Sequence, residues 1–151
     1  MTEFCHTADE HGVYRKYAAF IVGDAIVPRH LFFRRDWQVK RNQLTDDAFL
    51  DEERKYMETN PHERRLREIF AAAQISYGRV DYALLDGEIQ VWEINTNPVI
   101  AFPGREPRSL LERLRCALRP PRTPPLRPGP RARLHVGFAE ELRTVWERID
   151  S

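Results

Sequence analysis

The residues best suited to chemistry lie in two short segments of the middle of the chain. One is Gly78-Arg79-Val80-Asp81-Tyr82, the other Trp92-Glu93-Ile94-Asn95-Thr96-Asn97-Pro98. Glu93 and Asn95 are two apart, so on a strand they share a face, and so do Arg79 and Asp81. If the two segments pair, Asp81, Glu93 and Asn95 converge near the strand ends. Hard cations such as Mg²⁺ select oxygen ligands of this kind, usually together with substrate phosphates. Arg79 on the same face would stabilise negative charge developing on a substrate.

Convergence depends on register. Residues 79–85 and 88–95 read as strands joined at Asp86-Gly87. A two-residue Asp-Gly turn would set Leu85 opposite Glu88 and Asp81 opposite Trp92, turning Asp81 away from Glu93. A three-residue turn over Leu85-Asp86-Gly87 pairs Leu84 with Glu88 and puts Asp81 on the face of Glu93. The three-residue turn is the expectation here. A two-residue hairpin with no further bulge would remove the shared metal site. Apolar residues on both faces, Val80, Tyr82 and Leu84 against Ala83 and Leu85, predict a central pair covered on both sides. The bland alternative is a buried hairpin with polar ends.

The elements that must hold these strands follow from pattern. Residues 13–33 read as a hairpin turning at Gly23-Asp24. Pro28 lacks an N–H, which predicts an edge or a bulge there. Residues 45–58 read as a helix capped by Thr45 or Asp46, with Phe49, Leu50, Tyr56 and Met57 apolar. Asn60-Pro61 breaks it. Residues 61–74 form a second helix with Pro61 in the first turn and Leu66, Ile69, Phe70 and Ala73 on one face. A short helix is expected over 109–118. Residues 119–133 hold six of the 11 prolines and read as a polyproline-like linker. A last amphipathic helix covers 138–149, apolar at Phe138, Leu142, Val145, Trp146 and Ile149. The fold class is therefore α+β, an antiparallel sheet with flanking helices.

Composition bounds the function. The chain has 151 residues, 42% hydrophobic and 31% charged, which suits one globular domain and excludes a disordered or collagen-like chain. No apolar run approaches the roughly 20 residues of a membrane helix, and the polar N-terminus is not a signal peptide. Cys5 and Cys116 are too few for a disulfide framework or a zinc ribbon. A cytoplasmic protein with no membrane partner is expected. Net charge is +1, yet residues 105–133 carry nine arginines against Glu106 and Glu112, so the rest of the chain is acidic. That asymmetry admits an anionic partner. No aromatic residue interleaves the basic stretch as a base-stacking platform requires, so nucleic acid is not the expected ligand.

The two central segments resemble the ATP-grasp superfamily, whose ligases include D-alanine–D-alanine ligase and glutathione synthetase. The resemblance rests on Gly78-Arg79-Val80-Asp81, then Glu93-Ile94-Asn95 twelve residues after Asp81 and followed by Pro98. It implies Asp81, Glu93 and Asn95 as ligands of one or two Mg²⁺ ions on ATP, and Arg79 as a contact to the reacting acyl phosphate. More weakly, Glu3-Phe4 resembles the hinge that holds adenine and ribose. Tyr14-Arg15-Lys16-Tyr17 resembles the strand after it, implying Arg15 and Lys16 at the phosphates and Arg15 beside Arg79 in catalysis. His30, with Asp24, Pro28, Leu31, Trp37 and Lys40, completes a pattern common in bacterial ATP-grasp proteins, although a lone histidine is more often structural than a ligand.

The resemblance covers residues 2–102 and only the C-terminal lobe of the family fold. The expected organisation is a domain over 1–102, the short helix within 103–118, the linker over 119–133 and a helix over 134–151 packing back. No phosphate-cradling glycine run is present, so the expectation is a nucleotide-binding lobe of a carboxylate–amine or carboxylate–thiol ligase. It would be inactive without an N-terminal lobe, with an exposed face that favours that lobe or self-association. The competing expectation is a non-catalytic remnant or interaction module of the same fold.

Overall fold

A computed structural model describes residues 5–39, 44–98 and 130–149. Glu3, Phe4, Lys40, Cys116, the expected helix 109–118 and residues 119–129 of the expected linker lie outside those residues. Four strands form one antiparallel sheet in the order β2-β1-β3-β4, where β1 is Tyr14–Val22, β2 Ala25–Arg34, β3 Tyr77–Leu85 and β4 Glu88–Asn95. Three helices accompany them among the described residues: α1 (Asp47–Thr59), α2 (Glu63–Ala72) and α3 (Pro130–Ile149). The architecture is α+β. None of these helices is long and apolar enough to cross a membrane.

The first hairpin turns at Gly23-Asp24, with Val22 opposite Ala25. Its register shifts between Ala18 and Ala19, where Ala18 faces His30 and Ala19 faces Pro28. The missing N–H of Pro28 is thus absorbed in both predicted ways, by a bulge and on an edge strand. The outer edge of β2 is covered from within the chain. Glu53 Oε1 accepts from the Leu31 N–H at 3.2 Å, Asn60 Nδ2 donates to the Ile26 carbonyl at 2.9 Å, and the Leu44 N–H donates to the Phe33 carbonyl at 3.2 Å. Glu53 is fully buried, at helical spacing from Phe49, Leu50, Tyr56 and Met57 on the inward stripe of α1 although its side chain is polar.

Asp46 caps α1, its carboxylate accepting from the Phe49 N–H at 3.1 Å. Asn60 ends it in the left-handed conformation at φ 44°, one of the few conformations that asparagine tolerates better than most residues. Pro61 lies in the turn before α2 rather than in its first helical turn. Leu66 and Phe70 are buried against the sheet, Ile69 packs at their margin, and Ala73 is exposed at the C-cap.

The two sheet faces are covered differently. One face, formed by Tyr17, Ala19, Ile21, Leu31, Phe33, Val80 and Tyr82, carries the main core under α1 and α2. On the other face Phe20, Val22 and Val27 receive Phe138, Leu142 and Val145 of α3. Trp146 and Ile149, expected on the apolar stripe, are more than half exposed. Trp146 lies edge-to-face with Tyr77, with ring centroids 6.1 Å apart. The helix starts at Pro130, inside the stretch expected as linker, because proline suits a first turn.

Within the main core, a hydrogen-bonded chain links α2 to the sheet. His62 Nδ1 lies 2.8 Å from the Tyr82 hydroxyl, Tyr82 donates to Tyr56 at 3.2 Å, and Tyr56 donates to the Ala18 carbonyl at 2.9 Å. Tyr17 stacks on Tyr82 with centroids 5.2 Å apart. Burial pushes the Tyr17 phenol up to about 12 and holds His62 below its ordinary value. The unfolded chain therefore binds a proton at His62 more readily than the native one. The contribution of this site is complete above about pH 6.5 and is lost as pH falls from there towards the native pKa. Urea melts from pH 7.5 to 5 should show stability falling with pH, and His62→Gln, which keeps a donor but cannot charge, should flatten that slope. An unchanged slope in the variant would remove His62 from the account.

Candidate functional site

The second hairpin decides whether the predicted oxygen ligands meet. Its turn has two residues, Asp86 and Gly87, with Leu85 opposite Glu88. This corrects the expected three-residue turn. Both turn residues carry positive φ, 51° and 81°, as a type I′ turn requires. Aspartate tolerates that region through its short polar side chain, so the tighter turn closes without the bulge at Gly87. The extra residue sits instead within β4. Tyr82 faces Val91 and Asp81 faces Glu93, which leaves Trp92 as the inserted residue of a bulge.

The outcome for the site is the one the longer turn would have produced, reached by another route. Asp81 lies directly opposite Glu93, and Arg79 directly opposite Asn95. All four belong to the sheet face away from α1 and α2. Gly78 makes the last pairing possible, since a Cβ there would come within 3.0 Å of the Asn95 carbonyl oxygen. The expectation of a strand pair covered on both sides holds for β3 and fails for β4. That strand is the sheet edge, with Val91, Trp92 and Glu93 exposed.

Lys16 of β1 joins this face. Its Nζ lies 2.6 Å from Asp81 Oδ2, while Arg79 Nε donates to Asp81 Oδ1 at 2.8 Å and Arg79 Nη2 to Oδ2 at 3.3 Å. Asp81 is 3% exposed. The two flanking cations offset the cost of burying this carboxylate. Glu93, in contrast, presents its carboxylate to solvent. The Asn95 side-chain oxygen accepts from the Asn97 N–H at 2.8 Å, fixing the turn that ends β4. His30 lies on the same face of β2, stacked on Phe32 with centroids 3.9 Å apart.

Arg15 does not come to this face. It is one residue from Lys16 and so points to the opposite side of β1. There it binds Glu52 through Nε at 2.7 Å and Nη2 at 3.2 Å, and Asp9 through Nη1. Burial works against its charge, but the bonds to Glu52 and Asp9 more than offset it and raise its pKa. Lys16 is therefore the basic residue of β1 that stands with Asp81, and Arg15 ties β1 to α1. Alternation along the strand is the signal that separates the two, once the inward face is known.

The donor chemistry of the site suits a hard divalent cation: two carboxylates and an amide oxygen on one face. Among the described residues no three His, Cys, Asp or Glu side chains gather as a metal-binding group. Asp81 offers its oxygens only in competition with Lys16 and Arg79. Two clefts, of about 270 and 340 Å³, open near Asp24, and neither includes Lys16, Asp81 or Glu93. Comparison with protein-family models, with curated proteins and with solved structures finds no match for this chain.

Proposed function

We propose that the chain is the Mg²⁺–ATP-binding lobe of an ATP-grasp-like ligase, joining a carboxylate to an amine or a thiol when a second lobe closes over it. The observation that carries this reading is the opposition of Asp81 and Glu93 on the sheet face away from α1 and α2, with Lys16 2.6 Å from Asp81. Asp81, Glu93 and Asn95 would hold the cation, whose chemistry there is to offset negative charge on the transferring phosphoryl group. Lys16 and Arg79 would supply the remaining positive charge, Lys16 to the phosphates and Arg79 to the oxyanion of the acyl intermediate. The rigid antiparallel pair would keep these groups in fixed positions, which is how such sites contribute to the rate.

Thermal melts of the full chain test the reading, with Mg²⁺–ATP, with ATP and chelator, and with neither. Ligand at 100 times its dissociation constant adds about 2.7 kcal/mol. A Mg²⁺-dependent rise that Glu93→Gln abolishes is the expected result. Glu93 is the correct residue to vary because it is exposed, so its loss leaves the fold intact.

A second reading is favoured by one observation. Both oxygens of Asp81 are already engaged by Lys16 and Arg79, as they would be in a structural ion-pair cluster of a non-catalytic module. That reading requires the same melts to show no nucleotide effect.

A further inference from the structure

The two edges of the sheet are treated differently. The β2 edge is covered by Glu53, Asn60 and Leu44. At the other edge the described residues place no strand beyond β4. Natural sheets usually protect such an edge with charged side chains, especially lysine, with proline, with a bulge or by shortening the strand, and of these β4 carries two glutamates and the bulge at Trp92. The β4 sequence Glu-Ile-Gln-Val-Trp-Glu-Ile-Asn is eight residues long and has no lysine, arginine, proline or glycine. Its centre exposes Val91 at 41% and Trp92 at 40%.

The bulge makes this edge complementary to itself. Ile89, Val91 and Ile94 lie opposite Leu84, Tyr82 and Val80 on the helix-covered face. Glu88, Gln90, Glu93 and Asn95 lie opposite Leu85, Ala83, Asp81 and Arg79 on the other face. In an unbulged strand, residues 88 and 95 would fall on opposite faces. The inserted Trp92 brings them to the same one. Two copies of β4 can then pair antiparallel about the Val91–Trp92 step with the faces of residues 88–90 and 93–95 matched. Glu88 meets Asn95, Ile89 meets Ile94, Gln90 meets Glu93 and Val91 meets Trp92. The Glu93 carboxylate faces the Gln90 amide and each apolar residue faces an apolar one, while the Glu88 carboxylate is held by Arg65 of α2. A slip of one residue either way sets Ile89 against Glu93 or Asn95, on opposite faces.

We propose that β4 is a homodimer interface, pairing with β4 of a second copy in this register to form a continuous eight-stranded sheet. Backbone ladder bonds supply the adhesion, the cross-strand pairs supply the register, and the central Val91 and Trp92 are the buried anchors. The interface shares Glu93 and Asn95 with the proposed cation site, so association is read without nucleotide and its failure leaves the nucleotide melts a separate test.

Sedimentation equilibrium of the full chain without nucleotide tests it. The wild type should be a dimer. Gln90→Glu sets two carboxylates opposite each other at both symmetry-related positions and should weaken the dimer about tenfold. Combining it with Glu93→Gln swaps the charge across the same pair and should restore wild-type association. Trp92→Lys should give a monomer with an unchanged circular-dichroism spectrum. A monomeric wild type would overturn the proposal. So would a dimer that Trp92→Lys leaves intact, or a Gln90→Glu defect that the swap does not repair.

Discussion

Asp81→Ala should cost at least about 3 kcal/mol of stability, one of the two largest effects expected of a single substitution in this chain. Asp81 is 3% exposed and takes three short contacts from Lys16 and Arg79. Removing it leaves two cations side by side, each repelling the other in a poorly hydrated place. Both keep some access to water, with side chains 16% and 23% exposed, which holds the cost to the lower part of the range for broken buried pairs. Lys16→Met added to Asp81→Ala should recover part of the loss, because one stranded charge then disappears. The check is the urea midpoint at constant slope. A loss below about 1 kcal/mol would class the cluster with solvent-screened surface pairs. The expectation also bears on the nucleotide experiment: an Asp81 variant that fails to bind would report the loss of the fold as readily as the loss of a ligand.

Phe20→Ala carries the other large effect, about 3–5 kcal/mol. Phe20 is 1% exposed at the centre of the second sheet face, with the Phe138 ring 5.4 Å away. Truncation opens a void between β1 and α3 that the hydrogen-bonded sheet cannot collapse to fill. The diagnostic is regional. Backbone amides of α3 should exchange faster with solvent in the variant, while those of α1 and α2, on the other face, keep their protection. Phe138→Ala should reproduce that pattern, since it empties the same contact from the helix side. Uniform loss of protection across all three helices would show that α3 is no separate layer but part of one cooperative core.

Much of this molecule is legible residue by residue, because the signals are local. Asp46 caps α1 as short acidic side chains do. Asn60 stops the same helix, and Pro28 marks a bulge on an edge strand. The strand boundaries at Leu85 and Asn95 coincide with turn residues. Glu93 and Asn95 share a face because alternation is a property of any strand. The turn length was not legible, since Asp-Gly fits both a two-residue and a longer hairpin, and only pairing with β1 and β3 selects between them.

What the amino-acid order determines by itself is the set of elements and the chemical character of one sheet face: an α+β chain with Lys16, Arg79, Asp81, Glu93 and Asn95 available on its strands. Tertiary structure alone decides which of these meet. It separates Arg15 from Lys16 by the thickness of the sheet, since the two differ by one residue and only the position of α1 says which side is inward. It also places β4 at an edge, although its sequence is apolar enough for a central strand, because strand order depends on which neighbours compete for its backbone. And it brings Asp81 opposite Glu93 through a bulge at Trp92, a choice made by the fit of a whole sheet rather than by any residue in it.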